Sequence, residues 1–275
     1  MLRLRIITAV ILLLVLVGAL ALGPLAFTTF AAIAFGAAIF EWLRLASWSS
    51  QAAIAGAVLS AAAMIAMQWF GLNVEGPVLV LAVVVACVVW LVVGCWLVYA
   101  ERTNRLALHN PVVAVLAPLL LGGAWFALLA LYRQGALYLF SALAVVWIAD
   151  IAAYFAGRAL GKRKLAPHIS PGKTWAGAVG AVMAVVLVGL GVWLIWPAAA
   201  IFSNALFART PAVAIVTLVV LVAVSIVGDL FESLLKRHAG VKDSSSLLPG
   251  HGGVLDRIDA LLPVLPTAAL IEVLR

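Results

Sequence analysis

The sequence predicts an all-α fold: a polytopic helical membrane protein with about nine transmembrane helices and no separate soluble domain. Two observations support this prediction. Hydrophobic residues make up 67% of the 275 residues and charged residues only 10%, whereas a soluble domain is about half apolar and about a quarter charged. The apolar residues also form runs of roughly 17 to 23 residues, which as helices can cross a hydrocarbon core of about 30 Å.

The predicted spans are separated by residues that interrupt helices. Pairs such as Gly23-Pro24 and Gly76-Pro77 fall between apolar runs, where glycine and proline mark breaks. The first run follows two arginines but ends without a small-residue cleavage site, so we expect a retained span and not a signal peptide. The spans are predicted at residues 6–22, 25–40, 52–70, 78–98, 111–131, 135–156, 174–196, 212–230 and 258–274.

The basic residues predict how these helices are oriented. If the N-terminus is cytoplasmic, fourteen of the 17 Lys and Arg residues fall in cytoplasmic segments, and only Arg133, Arg209 and Arg275 fall outside. Lys and Arg favour the cytoplasmic side of a membrane. The sequence therefore predicts a multi-pass protein of the cell (inner) membrane, with residues 157–173 and 231–257 as two polar loops on the cytoplasmic side.

Charge is concentrated in one stretch near the C-terminus. Residues 228–259 hold five of the ten acids in the chain, four Lys or Arg residues and two histidines. We therefore distinguish residues 1–131, the N-terminal transmembrane helices, from residues 132–275, the candidate catalytic region with both loops. Five polar side chains recur at i, i+3, i+4, i+7 and i+8, on one face of a helix that continues out of the eighth span. They are Asp229, Glu232, Ser233, Lys236 and Arg237.

This mixture of acids and bases indicates a site that handles phosphates. Carboxylates that are brought together repel unless a cation lies between them, and Mg²⁺ binds through one or two carboxylates plus substrate phosphates. Asp256 and Asp259 add carboxylates at the start of the ninth span, where the positive end of the helix dipole favours them. Basic side chains would bind phosphates, and Gly252 and Gly253 would let backbone amides approach them. The pattern indicates phosphoryl or nucleotidyl transfer with magnesium.

The other polar loop repeats this theme. Its sequence "ISPGKT" places Lys173 at the mouth of a helix as a phosphate ligand. The loop is not a P-loop, because the first glycine of that motif would fall at Pro167. The preceding "GKRK" is equally explained as a topology signal. Asp150 lies inside a span, which indicates a functional role; the alternative is a structural pair with Arg158 or Lys173. The remaining acids are expected to be solvated: Glu41, Glu75, Glu101 and Glu272.

The run from Ser233 to Asp259 resembles the signature of the phosphatidate cytidylyltransferase (CDP-diacylglycerol synthase) family. "ISPGKTWAG" is similar to the family's second motif, with Ala176 where Glu is expected and Gly172 where Lys is common. The resemblance covers roughly residues 147–264, and the first half of the chain is similar only in its hydrophobic spans. The matching positions of the signature, each at the family's spacing, are Ser233, Lys236-Arg237, Lys242-Asp243, Pro249, His251-Gly252-Gly253, Asp256-Arg257 and Asp259.

The resemblance implies a reaction and a set of roles. CTP and phosphatidic acid would give CDP-diacylglycerol and pyrophosphate with magnesium, in a membrane-embedded homodimer. Catalysis would consist mostly of charge neutralisation and alignment of two anions. The expected metal ligands are Asp229 and Asp256, with Asp259 and Asp243 as weaker ligands or orienting residues, and Asp150 as electrostatic support. The expected phosphate clamp is Lys173, Lys236, Arg237, Lys242 and Arg257. Ser170, Ser233 and His251 are expected to position substrates through hydrogen bonds.

Other functions use similar parts. A lipid or polyprenol kinase would also combine acids and bases, whereas a CDP-alcohol phosphotransferase would carry an Asp-Gly, Ala-Arg, Gly, Asp, Asp pattern that this sequence lacks. An ion-coupled transporter would place acids such as Asp150 and Asp229 in the membrane, but the sequence shows neither the inverted repeats nor the broken midplane helices typical of transporters. The net charge of +7 is better explained by positive loops facing headgroups and phosphates than by nucleic-acid binding.

Overall fold

The computed structural model describes residues 2–72, 75–104, 106 and 108–274, and describes only the backbone at residues 2–6 and 9. Helices dominate the fold, and the two strands form one short hairpin. The elements are α1 Leu2–Ala21, α2 Pro24–Leu45, α3 Ser50–Trp69, α4 Gly76–Thr103, α5 Asn110–Arg133, α6 Ala136–Leu160, β1 Lys164–Ala166, β2 Ser170–Thr174, α7 Trp175–Ile195, α8 Phe202–Phe207, α9 Pro211–His238, α10 Leu255–Ile258 and α11 Leu261–Val273.

The predicted all-α polytopic fold is confirmed, but the predicted count of nine spans is not. Within the described residues, seven helices, α2 to α7 and α9, are long and apolar enough to cross a membrane. α1 is not counted among the seven, because its side chains are described only at residues 7, 8 and 10–21, of which Val10–Ala21 form an apolar helical stretch. The predicted ninth span is divided, and α11 has only 13 residues, or about 20 Å, which is too short for a hydrocarbon core of about 30 Å.

Proline explains why the last predicted span is divided. In a continuous helix the carbonyl of Asp259 would accept the N–H of residue 263, but Pro263 has no N–H. The chain therefore turns at residues 259–260, between α10 and α11. Pro266 removes a second donor inside α11. The helix is nevertheless surrounded by protein, since it packs against α4, α5, α6 and α9 and buries side chains on several faces, including Leu262, Leu265 and Ala269.

Gly228 lets α9 approach this break closely. A Cβ atom at Gly228 would collide with the carbonyl oxygen of Asp259 and would lie 2.9 Å from Cδ of Pro263. The absence of a side chain therefore allows the backbone of α9 to touch the junction between α10 and α11. As a result Asp229, the next residue of α9, lies beside Asp259, and Asp229 is among the charges that act on the Asp259 carboxyl.

The two polar segments are shorter and more ordered than predicted. Residues 157–160 belong to α6, and residues 164–174 form an antiparallel hairpin in which Lys164 pairs with Thr174. Residues 231–238 continue α9, whose 28 residues extend about 42 Å and so project beyond a hydrocarbon core. The second irregular segment is therefore residues 239–254. We call it the acidic loop after the carboxylates that it contacts, although Asp243 is the one acid within it.

Side-chain contacts place both polar segments at one end of the bundle. Glu101, near the end of α4, accepts hydrogen bonds from the backbone amide and the ring of His168 at 3.0 and 2.7 Å. Glu41, near the end of α2, contacts the acidic loop. At the opposite end, Tyr138 donates to Glu272 at 2.5 Å. The expectation that these acids are solvated is therefore wrong for Glu41, Glu101 and Glu272.

Glu75 agrees with that expectation, because its side chain is 66% exposed in an ion pair with Arg133. Four arginines used in the orientation argument lie outside the described residues or side chains: Arg3, Arg5, Arg105 and Arg275. The structure thus shows which segments share an end of the bundle, and the side of the membrane on which that end lies stays a prediction.

Labelling of single cysteines tests this arrangement. In a chain whose Cys87 and Cys95 are replaced by alanine, cysteines at the exposed positions Lys162 and Val241 should react with a membrane-impermeant thiol reagent from the same side. A cysteine at the exposed position Arg209, just before the start of α9, should react from the other side. Reaction of all three from one side of oriented vesicles would contradict the topology.

The contact at Gly228 predicts a stability effect. Gly228→Ala should lower the free energy of unfolding by about 1–3 kcal/mol, because the new methyl group overpacks the junction against backbone atoms. Gly122→Ala is the matched control, since a Cβ atom there meets nothing within 4 Å and alanine is the better helix former. Thermal unfolding in detergent measures both variants, and equal midpoints for the two would disprove the close contact.

Candidate active site

The structure places four of the five predicted polar side chains of α9 among the residues of one site. The helix is continuous from Pro211 to His238, so the spacing of three and four residues puts these side chains on one face, as predicted. Along that face the site has two parts. One surrounds Asp229 and opens into a cavity, and the other surrounds Lys236 and is buried.

An ion pair joins the hairpin to α9 in the first part. The Lys173 ammonium lies 2.5 Å from Oδ2 of Asp229, and both side chains keep some exposure, 23% and 34%. Ser233 donates to the other oxygen of Asp229 at 3.3 Å. Lys173 is held in place because Thr174, the next residue, caps α7 by accepting the amide of Gly177 at 3.1 Å. The predicted phosphate ligand and the predicted metal ligand are thus direct neighbours.

A cavity of about 490 Å³ between α6, α7 and α9 surrounds this ion pair. Five charged side chains are among its lining residues: Asp150, Arg158, Lys164, Lys173 and Asp229. Apolar residues of the same three helices also line it, including Ala149, Ala181 and Val222. The wall of the cavity therefore contains both charged and apolar side chains, and Asp150 lies in it beside the predicted site.

Lys236 occupies the second part of the site between two carboxylates. Its ammonium lies 2.5 Å from Oε2 of Glu232 and 2.6 Å from Oδ1 of Asp256. The three side chains are only 15%, 3% and 4% exposed. The sequence predicts Lys236 as a member of the phosphate clamp. In the structure its ammonium contacts two acids of the protein.

The carboxylate of Asp256 is fully engaged by donors. Its Oδ2 atom accepts the backbone amides of Ser244 and Gly253 at 2.9 and 2.8 Å and lies 2.9 Å from the Ser244 hydroxyl, while Oδ1 faces Lys236. Burial alone would raise the pKa of the Asp256 carboxyl, but the side chains and amides bonded to it hold that pKa below its usual range. Asp256 thus stabilises the acidic loop as a charged group.

The two predicted principal metal ligands consequently have different partners. Asp229 pairs with Lys173 at the cavity, and Asp256 pairs with Lys236 and the acidic loop. Asp259 lies closer to the first part: burial, and then the negative charge of Asp229, raise the pKa of the Asp259 carboxyl well above its usual range. Its Oδ1 atom accepts one donor, the amide of Ala260 at 2.8 Å.

A magnesium ion fits this pair of acids better than it fits Asp256. Within the described residues no group of three or more His, Cys, Asp or Glu side chains is arranged as a metal site. Magnesium does not require one, because it is commonly held by one or two carboxylates together with substrate phosphates and water. Asp229 and Asp259 repel each other and have oxygen atoms that are not saturated by donors, which is the arrangement that a divalent cation relieves.

The remaining predicted residues surround these two parts. Arg237, Lys242, Asp243 and Arg257 are exposed at the same end of the bundle, and Ser170 is partly buried at the start of β2. The Nδ1 atom of His251 is buried without a hydrogen-bond partner among the described atoms. These side chains are available to a ligand, and their roles stay predictions.

The two glycines of the "HGG" sequence have structural reasons of their own. Gly252 has a φ of +81°, which side-chain-bearing residues rarely adopt. A Cβ atom at Gly253 would collide with the Ser244 hydroxyl and with the carboxylate of Glu41. The amide of Gly253, predicted to approach a phosphate, already donates to Asp256.

Sequence reasoning missed Glu41, which belongs to the N-terminal helices. Its side chain is completely buried and accepts hydrogen bonds from four groups of the acidic loop and the start of α10. One signal was available, because Glu41 is the sole acid among the first 74 residues and lies inside an apolar run.

Comparison with known proteins identifies the family of this chain. Residues 3–274 match the model of the Cytidylyltransferase family. A phosphatidate cytidylyltransferase of Pseudomonas aeruginosa is 40% identical over 283 residues, which cover 98% of this chain and 96% of that protein. Phosphatidate cytidylyltransferases of Haemophilus influenzae and Bacillus subtilis are 50% and 47% identical over 125 and 138 residues. These two matches cover 44% and 49% of this chain and 41% and 46% of the relatives. The chain therefore belongs to the cytidylyltransferase family.

Proposed function

We propose that this chain is an integral membrane phosphatidate cytidylyltransferase, which converts CTP and phosphatidic acid to CDP-diacylglycerol and pyrophosphate. The observation that carries the proposal is the cavity beside the Lys173–Asp229 ion pair. A lipid phosphate needs charged ligands for its head and an apolar wall for the adjoining glycerol and acyl carbons, and this cavity has both. The names of the relatives support the same reaction.

The chemistry requires two anions to meet. An oxygen of the phosphatidic acid phosphate, already ionised near neutral pH, attacks the α-phosphorus of CTP, so that a new P–O bond forms and the bond to the β-phosphate breaks. Pyrophosphate leaves with the electron pair. No strong general base is required, and the protein acts chiefly by neutralising charge and aligning the reactants.

The basic residues divide this work by position. Lys173 lies at the cavity and is only partly exposed, so we assign it to a phosphate at the reacting centre. Arg237, Lys242 and Arg257 are exposed, and we assign them to the nucleotide phosphates that enter from solution. Lys236 bridges Glu232 and Asp256, and it therefore holds the framework on which the other residues are placed.

We propose that Asp229 and Asp259 hold magnesium together with the substrate phosphates. When bound, the ion would stabilise the charge that develops on the phosphate oxygens. Asp150 lies in the same cavity and is assigned electrostatic support. We further propose that the site faces the cytoplasm across the cell (inner) membrane, since the basic residues of the polar segments favour that side. The homodimer implied by the family resemblance stays a prediction.

An assay of the purified protein in detergent tests the proposed function. With CTP, phosphatidic acid and magnesium, the protein should release pyrophosphate and form CDP-diacylglycerol in equal amounts. Removing magnesium with a chelator should stop both. Formation of a phosphorylated lipid from ATP or CTP without pyrophosphate would instead identify a lipid kinase, and substrate uptake into proteoliposomes without product would identify a transporter.

The two parts of the site predict different effects for two similar substitutions. Asp229→Asn should lower kcat about a hundredfold or more, corresponding to about 3 kcal/mol of transition-state stabilisation, with a nearly unchanged thermal midpoint. Asp256→Asn should lower both activity and the thermal midpoint, because its amide group would face either Lys236 or two backbone donors.

The matched control is Glu75→Gln, which alters an exposed pair at the other end of the bundle and should leave both quantities unchanged. Glu272→Gln is less suitable, because Glu272 accepts a hydrogen bond from Tyr138. If Asp229→Asn kept most of its activity at ordinary magnesium concentrations, the assignment of the metal to Asp229 would have to be abandoned.

A further inference from the structure

We infer that Glu41 is a positioning residue, which fixes the acidic loop and α10 in the conformation that the active site requires. This role lies in the second helix, far along the chain from the run of residues 233–259 that resembles the family signature. The activity part of the inference rests on the proposed function, whereas the structural part does not.

Glu41 receives four hydrogen bonds from one short region. Its Oε1 atom accepts the Ser245 hydroxyl at 2.6 Å and the Val254 amide at 2.9 Å. Its Oε2 atom accepts the Ser244 hydroxyl at 2.9 Å and the Leu255 amide at 2.7 Å. The carboxylate thus joins the middle of the acidic loop to its end, and in the described part of the chain no Lys, Arg or His side chain lies within ion-pair distance of it.

This arrangement makes the loop conformation and the burial of Glu41 depend on each other. A carboxylate that is completely buried without a cation is tolerated only where several donors replace its water. All four donors come from residues 244–255, so any other conformation of the loop would leave the carboxylate unpaired. The charge therefore selects one conformation of the loop.

The carboxylate is also rigidly placed. The neighbouring Trp42 is 1% exposed, its indole donates to the carbonyl of Val113 at 2.8 Å, and its ring packs against Phe231 with centroids 5.8 Å apart. α2 is thereby fixed to α5 and α9 where Glu41 projects. A rigid helix thus holds a segment that has little regular structure of its own.

The contacts lead directly from Glu41 to the catalytic region. The amides of Val254 and Leu255 lie at the start of α10, which carries Asp256 in its first turn. The Ser244 hydroxyl lies 2.9 Å from both the Glu41 and the Asp256 carboxylates. Displacing Glu41 would therefore shift Asp256 and, through the following turn, Asp259.

The variant Glu41→Gln removes this support with little change in shape. Each carboxylate oxygen accepts one hydroxyl and one backbone amide. A hydroxyl can rotate to accept from the new amide group, but a backbone N–H cannot. Either orientation of glutamine therefore leaves the N–H of Val254 or of Leu255 facing another donor, and that part of the loop must move.

The first experiment measures kinetics. Glu41→Gln should lower kcat between about tenfold and a hundredfold, because small misplacements of reacting groups have effects of that size, while KM for CTP changes less. Glu75→Gln is the matched control. Ser245→Ala should lower kcat by a smaller factor, and the double variant with Glu41→Gln should be no worse than Glu41→Gln alone. Unchanged kcat in Glu41→Gln, or additive effects of the two substitutions, would overturn the inference.

The second experiment measures the loop without using activity. A nitroxide spin label on Leu247→Cys, an exposed loop position, is introduced into the chain with Cys87 and Cys95 replaced by alanine. Its spectrum should show greater mobility in Glu41→Gln than in Glu75→Gln or the parent. Identical spectra would overturn the positioning role. A mobilised loop in a protein that makes no CDP-diacylglycerol would leave that role intact and disprove the proposed function. If Glu41→Gln does not fold, Ser245→Ala is measured in the same way, with increased mobility again expected.

Discussion

Lys236 lies between the carboxylates of Glu232 and Asp256, and this buried contact connects the last long helix to the loop that completes the site. In a bundle of apolar helices each buried charge requires a partner or a set of donors. Glu232 and Lys236 lie one turn apart on α9 and form an ion pair within the helix. Asp256 adds a second carboxylate to Lys236 from outside the helix, and Glu41 and two backbone amides then fix the segment that brings Asp256 there.

One face of α9 thereby supplies two different environments. At Lys236 one ammonium bridges two carboxylates, all three side chains are almost completely buried, and the result is a rigid framework. At Asp229, two turns earlier, the carboxylate has one lysine and one hydroxyl for partners and borders a cavity. The acids near it remain under mutual repulsion. A site that must receive a cation and several phosphates needs unsatisfied charge of this kind beside a framework that does not move.

The parts of this arrangement that depend on spacing along the chain could be predicted from the sequence. The polar face of α9 follows from a helical period, and most spans follow from apolar length. The partners of Asp256 and Glu41 could not be predicted, because they depend on contacts between residues as far apart as 214 positions. The sequence also did not predict the hairpin of residues 164–174. Its strands are short, and basic residues and two prolines interrupt the alternation of apolar and polar residues that would indicate a strand. The division of the last span could have been recognised from Pro263.

The distance along the chain between Glu41 and its donors also bears on how the protein is made. α2 is among the first helices to be synthesised, whereas Ser244 follows 203 residues later, a delay of roughly 10 to 40 s at about 5–20 residues per second. During that interval the carboxylate has none of its final partners. Its place four residues from the end of α2 keeps it close to the membrane surface, where water can solvate it until the acidic loop arrives. The final folding step of the loop is thus also the step that dehydrates Glu41.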